Sequence, residues 1–460
     1  MKLLDSSDPR PIHFVGAAGA GMSALAELFA RRGARVTGCD AAGGTPDLER
    51  LGIHVAKGHD ASHAADARAL IVTSAMAHDH PELVRARELG LPVIRRAEAL
   101  AEAVSGSRVI GVAGTHGKTT TTVMTTEALT AAGLAPTGIA GGRVGAWNGN
   151  LSEGSDALFV VEADEYDRSF LALTPDIAII TNVEADHLDI YKDLDDIRAA
   201  FGEFARRAKT LILCADDPGA TAVRAGSGAQ VIRYGLDGRS RDARLVARGV
   251  RAEQGGSVFT PVFDGDVQPP VTLRVPGEHN VLNALAALAA GLALGVDAAR
   301  LAEGLARFTG VERRFQRLGD VRGITVIDDY AHHPTEISAT LAAARAAFPG
   351  RRIVAAFQPH LFTRTRDFAP AFAAALTAAD AIFLTEIYPA REQPLPGVSS
   401  ELIVKALRDA SAPLAWRGER SKLAAALGSA VREGDVVITL GAGDITRTGP
   451  ELLARLAAAA

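Results

Sequence analysis

The sequence predicts an α/β protein built as three consecutive domains. Three observations carry this expectation. Short apolar runs that read as buried parallel strands alternate with helix-length segments along most of the chain. Those runs repeatedly end in glycine turns or in stretches rich in acids and histidines, as expected at the carboxyl edge of an open parallel sheet. The length, 460 residues, suits about three domains of ordinary size.

The first domain is expected over residues 1–106. It opens with a strand, Ile12-His13-Phe14-Val15, and a turn, Gly16-Ala17-Ala18-Gly19-Ala20-Gly21, which leads into a helix from Met22 to Arg32. A second strand, Arg35 to Cys39, ends in Asp40, an acid able to bond a ribose, so the start is Rossmann-like. The turn reads G-x-x-G-x-G and departs from the dinucleotide fingerprint, so a merely tight strand–helix turn is the plain alternative. Strands follow at Ala69 to Thr73 and Pro92 to Arg95, with helices from Pro81 to Leu89 and from Glu98. The polar break Ser105-Gly106-Ser107 marks the boundary.

The second domain, residues 107–311, starts with the strand Arg108 to Ala113 and the loop Gly114-Thr115-His116-Gly117-Lys118-Thr119-Thr120, followed by a helix from Thr121 to Ala132. Strand, glycine turn, Lys-Thr and helix make a phosphate cradle of the P-loop ATPase kind, with backbone N–H groups and a helix N-terminus facing the anion. The spacing is shorter than G-x-x-x-x-G-K-[ST], because Val112 stands where the first glycine would be. Further strands are expected at Ala157 to Val161, Ile177 to Thr181 and Leu211 to Cys214. The first leads into Glu162-Ala163-Asp164-Glu165-Tyr166-Asp167, the second into Asn182-Val183-Glu184-Ala185-Asp186-His187. Short alternating segments with Gly and Pro from Asp242 to Pro276 read as a small antiparallel insertion, and an alanine-rich helix, Val281 to Ala293, follows His279-Asn280.

The third domain, residues 312–460, is again Rossmann-like. The strand Ile324 to Ile327 ends in Asp328-Asp329-Tyr330-Ala331-His332-His333-Pro334, before a helix from Thr335. The strand Ile353 to Phe357 leads to Gln358-Pro359-His360-Leu361-Phe362-Thr363-Arg364-Thr365-Arg366. Further strands are expected at Ala381 to Leu384 and Val436 to Leu440.

Composition narrows the function class. Apolar content is 48 % and charged content 22 %, ordinary for a globular enzyme. A net charge of −5 gives no general attraction to nucleic acid or anionic membrane. Met1-Lys2-Leu3-Leu4-Asp5 lacks the apolar core of a signal peptide, and no apolar run approaches membrane-spanning length. Cys39 and Cys214 lie far apart without metal-type spacing and read as small buried hydrophobes in a reducing compartment, so the cytoplasm is the expected location. His59, His63, His78 and His80 read as surface residues.

An ATP cradle with acids and a histidine at neighbouring strand ends points to phosphoryl transfer assisted by Mg²⁺. Lys118 can reach the outer phosphates. Thr119, Glu162 and His187 are the metal candidates, and a histidine in the set would also admit Mn²⁺. Arg364 and Arg366 suit an anionic substrate.

At these residues the chain resembles the Mur ligase family over essentially its whole length. The motifs are Gly19-Ala20-Gly21-Met22-Ser23, Gly114 to Thr120, Glu162 to Glu165, Asn182 to His187, His279-Asn280, Asp328 to Glu336 and Gln358-Pro359-His360. The resemblance implies that the lactyl carboxylate of UDP-N-acetylmuramate attacks the γ-phosphate of ATP and that the amine of L-alanine attacks the resulting acyl phosphate. A ligase joining the same sugar nucleotide to a whole tripeptide is the alternative. By the same resemblance, Gly16, Gly19, Gly21, Met22 and Ser23 hold the UDP, with Asp40 and Ser74 nearby. His279, Asn280 and Asn283 meet the adenine end of ATP, Arg314 a phosphate and Asp329 the ribose; Lys118, Glu162, His187 and Arg314 carry the catalysis. Tyr330, His332, His360 and Arg364 surround the amino acid. Leu361 stands where many members have arginine, which implies a weaker hold on the alanine carboxylate. Asp193 to Ala208 contains no lysine, so no carbamylated lysine is expected.

Overall fold

The computed structural model describes residues 3–4, 8–73, 76–240, 242–253 and 255–458. Three sheets occur in chain order, each flanked by helices. The chain divides into two compact units: one reaches Arg248 and includes Thr260–Val271 and Leu282–Phe308, the other comprises Gly249–Phe259, Thr272–Val281 and the chain from Thr309.

In the first unit, the first sheet has five parallel strands in the order His54–Lys57, Val36–Asp40, Ile12–Val15, Ala69–Val72, Val93–Arg95. The strand order reverses beside Ile12–Val15, which places the glycine turn at a topological switch point, where such sheets bind ligands. The central sheet is parallel through Gln230–Leu236, Thr210–Cys214, Ile177–Ile180, Arg108–Ala113, Ser155–Glu162 and Pro136–Val144. Arg108–Ala113 therefore has Ser155–Glu162 on one side and Ile177–Ile180 on the other. That order brings Glu162 and Asn182 to either flank of the phosphate loop.

Three expectations change here. The helix after the loop begins at Lys118, not Thr121, and runs to Ala131. Pro136–Val144 and Gly149–Ser152 form an antiparallel pair that the sequence pattern concealed. The insertion continues the central sheet: Leu245–Glu253 pairs in parallel with Gln230–Leu236, and Asp266–Val267 pairs antiparallel with Gly256–Phe263. The first and central sheets are also joined by side chains, with Arg31 reaching Glu153 at 2.7 Å and Arg143 reaching Asp47 at 3.1 Å.

In the second unit, the third sheet has the order Gln316–Val321, Ile324–Asp329, Val436–Leu440, Ile353–Phe357, Ala381–Thr385, Leu414–Gly418, with only the first pair antiparallel. Its four inner strands are buried on both faces. Ile353, Ala355 and Phe357 face one apolar cluster, Val354 and Ala356 the other, as the two-residue strand period requires. Asp329 and Phe357 both register with Leu440 on the intervening strand, so the Asp-Tyr-Ala-His-His and Gln-Pro-His segments leave the sheet side by side.

Candidate active site

The phosphate loop is built on two glycines whose backbones no other residue would adopt without strain: φ is +143° at Gly114 and +80° at Gly117. A side chain at Gly114 would collide with Thr181, and one at Gly117 would lie 2.6 Å from Asn283 Oδ1. The loop is held from the neighbouring strand end. Thr115 N–H donates to the Asn182 carbonyl at 3.1 Å, His116 N–H to Asn182 Oδ1 at 2.7 Å, and Thr181 Oγ1 to the His116 carbonyl at 2.6 Å. Asn182 thus anchors the loop, a role the motif Asn182–His187 signals only in outline.

Lys118 Nζ donates to the Gly114 carbonyl at 2.7 Å and to Glu165 Oε2 at 2.7 Å. Burial pushes the Glu165 carboxyl up to about 7 against the pull of Lys118. Burial also acts to lower Lys118, but the carboxylates of Glu165 and Asp164 more than offset it and hold the ammonium above its usual range. In sequence Glu165 is one acid in a run of four, and only the fold pairs it with Lys118. Tyr191 Oη fixes its backbone by donating to the Glu165 carbonyl at 2.6 Å.

Of the three metal candidates, Thr119 and Glu162 are in direct contact. Thr119 Oγ1 lies 3.1 Å from Glu162 Oε1, and Gly141 N–H donates to Glu162 Oε2 at 2.5 Å. A Cβ at Gly141 would sit 2.5 Å from Glu162 Oε1, so the glycine leaves the carboxylate room. Two oxygen donors beside a phosphate cradle fit a hard divalent ion such as Mg²⁺. His187 has φ +52°, and its Nε2 lies 3.8 Å from both Glu165 Oε1 and Asp186 Oδ2. It is placed on the Lys118–Glu165 pair. Asn283 accepts a hydrogen bond from Thr121 Oγ1 at 3.2 Å, one turn into the loop helix.

In the first sheet, Gly16 has φ +80°, and the N–H groups of Gly16 and Ala17 both donate to the Cys39 carbonyl. Asp40 accepts from Ala18 N–H at 3.1 Å and from Ala42 N–H at 2.9 Å, so its carboxylate shapes the turn. Ser23 Oγ donates to the Ala20 carbonyl, and Met22 is buried in the first turn of the helix Ala20–Arg31, whose N-cap is Gly19. Ser74 lies outside the described residues. Beside the turn, a cleft of about 410 Å³ is lined by Thr73, Arg95, Arg96, Asp164, Tyr166 and Arg168. A Cβ at Gly21 would lie 2.9 Å from Arg96 Nη1. Arg95 and Arg96 are basic residues at the carboxyl end of a strand, a signal legible in the sequence.

In the second unit, Asp329 accepts from Phe315 N–H at 2.7 Å and Ala331 N–H at 2.8 Å, and burial pushes its carboxyl up to about 6. Arg314 lies 3.4 Å from Glu336 and its guanidinium covers the Tyr330 ring. Desolvation and the Arg314 charge push His279 down to about 4, so its imidazole is neutral. Asn280 Nδ2 donates to the Pro276 carbonyl at 2.7 Å.

The four amino-acid candidates do converge. The Tyr330 and His332 rings are 5.1 Å apart, His332 and His360 5.9 Å, and Arg364 Nη1 is 3.4 Å from His360 Nδ1. His332 Nδ1 donates to the Tyr330 carbonyl at 2.9 Å, which leaves Nε2 as the acceptor nitrogen. Arg364 donates to His360 Nδ1, so there Nε2 carries the proton. Leu361 follows His360 directly and is 3 % exposed, with φ +70°.

Family models match the chain in three successive stretches: the Mur ligase family catalytic domain over residues 11–108, the Mur ligase middle domain over 112–291, and the Mur ligase glutamate ligase domain over 313–443. The chain is 46 % identical to the UDP-N-acetylmuramate–L-alanine ligase of Streptomyces avermitilis, over 98 % of each protein. It is also 46 % identical to the same-named protein of Streptomyces coelicolor, over 98 % of this chain and 99 % of that one. Among solved structures it resembles the UDP-N-acetylmuramate-alanine ligase MurC of Thermotoga maritima, with a TM-score of 0.83 and 31 % identity over 98 % of this chain and 100 % of that one. It also resembles the murein peptide ligase of Psychrobacter arcticus, with a TM-score of 0.73 and 27 % identity over 97 % and 98 % of the two chains. Phosphate loop, strand-end acids and the histidine–arginine group thus occur in a chain that belongs to the Mur ligase family.

Proposed function

We propose that this chain is an ATP-dependent ligase that joins L-alanine to the lactyl carboxylate of UDP-N-acetylmuramate, releasing ADP and phosphate. The observation that supports the ATP chemistry is the glycine loop with Lys118 inside it and the Thr119–Glu162 pair at its mouth. Full-length identity to alanine-adding relatives supports alanine over the tripeptide.

In this reading residues 1–106 hold the UDP on the Gly16–Ser23 turn, with Asp40 and Ser74 at its edge, residues 107–311 hold ATP and residues 312–460 hold the amino acid. The reaction takes place in the cytoplasm. A carboxylate is a poor acyl donor until it is phosphorylated, so the site must neutralise the γ-phosphate while carboxylate oxygen attacks phosphorus and ADP departs. Lys118 supplies one fixed charge and Arg314 a second. Thr119, Glu162 and His187 would hold Mg²⁺, which would supply further charge neutralisation when bound. His279, Asn280, Asn283 and Asp329 orient the nucleoside. In the second step the alanine nitrogen attacks the acyl carbon and phosphate leaves. His332 Nε2 takes the proton from the ammonium, while Arg364, His360 and Tyr330 hold the carboxylate end.

The test is an isotope transfer. With ¹⁸O in the lactyl carboxylate, one labelled oxygen should appear in the released phosphate for each amide formed. Product formed with no label in phosphate would exclude the acyl phosphate.

A further inference from the structure

The first sheet carries a side-chain cluster that the ligase chemistry does not use. Glu82 is 0 % exposed, in the first turn of the helix Pro81–Glu88, among the apolar residues Val15, Leu70, Leu83 and Ala86. A carboxylate so buried needs a counter-charge. Among the described residues its ion-pair neighbours are His13, His59 and His63, with no lysine or arginine. Its oxygens lie 3.0 and 3.2 Å from Cys39 Sγ, 3.1 Å from His63 Nδ1 and 3.3 Å from His13 Nε2. Two of the histidines expected at the surface, His59 and His63, therefore sit on one buried acid, and Cys39 is more than a small hydrophobe.

We propose that His13, Cys39, His63 and Glu82 bind one zinc-type divalent transition-metal ion. One donor atom from each of the four lies within 4.8 Å of all the others. A tetrahedral ion with bonds of about 2.0–2.3 Å spaces its donors about 3.3–3.6 Å apart, so the cluster needs only small adjustments to close on it. Nitrogen, sulfur and one carboxylate oxygen select a borderline-soft ion over Mg²⁺.

A second observation points the same way. His13 Nε2 is buried, makes no hydrogen bond and faces Glu82, while His13 Nδ1 lies 3.0 Å from Thr37 Oγ1. Metal-bound histidines have this arrangement, with the outer nitrogen held by a second partner. His13 and Cys39 project from the same face of two paired strands, because His13 registers with Thr37 and Val15 with Cys39. His63 comes from the short turn Ala61–Ala64, and its side chain is 22 % exposed, which gives the ion an entry path. A bound ion would tie that turn and the helix Pro81–Glu88 to the sheet. Because the Cys39 carbonyl accepts from Gly16 and Ala17, it would also stiffen the glycine turn from below.

The inference does not rest on the ligase reading, and its test needs no turnover. The full chain is stripped with a chelator, dialysed and titrated with Co²⁺ alone. The expected result is a thiolate-to-cobalt charge-transfer band that saturates at one equivalent, disappears on adding Zn²⁺ and is missing in Cys39→Ser. An ion at Thr119 and Glu162 has no sulfur ligand and gives no such band. Zn²⁺ should raise the melting temperature of the wild type, and His63→Ala, altered at the partly exposed rim, should lose at least about tenfold in zinc affinity. A titration of the wild type with no charge-transfer band would overturn the proposal and leave a proton-sharing network. So would a band that survives in Cys39→Ser, or a His63→Ala chain that binds zinc as the wild type does.

Discussion

Lys118 Nζ sits 2.7 Å from Glu165 Oε2, and Glu165 is 3 % exposed. The cation that serves the phosphate loop is therefore half of a buried ion pair. Removing one partner of such a pair strands the other, at a cost of about 3–5 kcal/mol. Lys118→Ala should lose about two or more orders of magnitude in phosphate release and also lower the melting temperature. Adding Glu165→Gln to Lys118→Ala should restore the melting temperature and leave the rate where it was. Recovery of rate in the double variant would show that Lys118 matters only for folding. Calorimetric binding of UDP-N-acetylmuramate should be nearly unchanged, since that ligand is assigned to the first sheet.

Glu162→Ala should raise the Mg²⁺ concentration needed for half-maximal rate, because Glu162 is the carboxylate beside Thr119 Oγ1 at 3.1 Å. His187→Ala should shift that midpoint less, since its Nε2 lies 3.8 Å from Glu165 and a water can replace a nitrogen ligand on Mg²⁺. Metal titrations of both variants check this, and equal midpoints in Glu162→Ala and wild type would remove Glu162 from the metal set.

Arg364 is 5 % exposed and lies beside His360. Arg364→Ala should raise the KM for L-alanine by about tenfold or more, as loss of a charged hydrogen bond worth about 1.5–3 kcal/mol requires, with little change in the KM for ATP. Steady-state kinetics with each substrate varied in turn measures this; an unchanged alanine KM would place the carboxylate clamp elsewhere.

Glu127, on the loop helix, offers a pH test away from the chemistry. Burial lifts its carboxyl from 4.5 to about 7, with only a hydrogen bond from Trp147 pulling the other way. Its favourable contribution is full below pH 4.5, where the group is neutral in both states, and is lost as pH rises through about 7. Glu127→Gln should match the wild type near the lower limit and exceed it at about pH 8, by about 1–2 kcal/mol after allowance for partial exposure. Chemical denaturation at both pH values gives the difference, and a gap independent of pH would contradict the assignment.

Several parts of this architecture were legible because local pattern and long-range packing agree. Arg108–Ala113 is a continuous apolar run in the middle of a parallel sheet, so the sequence identifies both the strand and the loop it feeds. The strand Pro136–Val144 hides because its glycines read as turns. In the fold they are strand residues: a Cβ at Gly138 would meet Thr126 at 2.7 Å, and one at Gly141 would meet Glu162. Motif spacing placed Glu162 at the mouth of the cradle, but nothing local distinguishes Glu165, buried against Lys118, from the acids around it. Leu361 reads in sequence as a missing carboxylate contact, but its burial and positive φ are not legible there. The gathering of His13, Cys39, His63 and Glu82 is invisible in sequence because the four residues come from two strands, a short turn and a helix.

The most direct test of the central claim is phosphate release from ATP in the presence of UDP-N-acetylmuramate, with the amine varied among L-alanine, glycine, L-serine, D-alanine and L-Ala-γ-D-Glu-meso-diaminopimelate. L-alanine should give the highest rate. Glycine should follow at a disadvantage of about 1–3 kcal/mol, the worth of one methyl group in a pocket. D-alanine and the tripeptide should be poorer still, since both misplace the attacking nitrogen. A tripeptide rate above that of L-alanine, or phosphate release at full rate without the sugar nucleotide, would contradict the account.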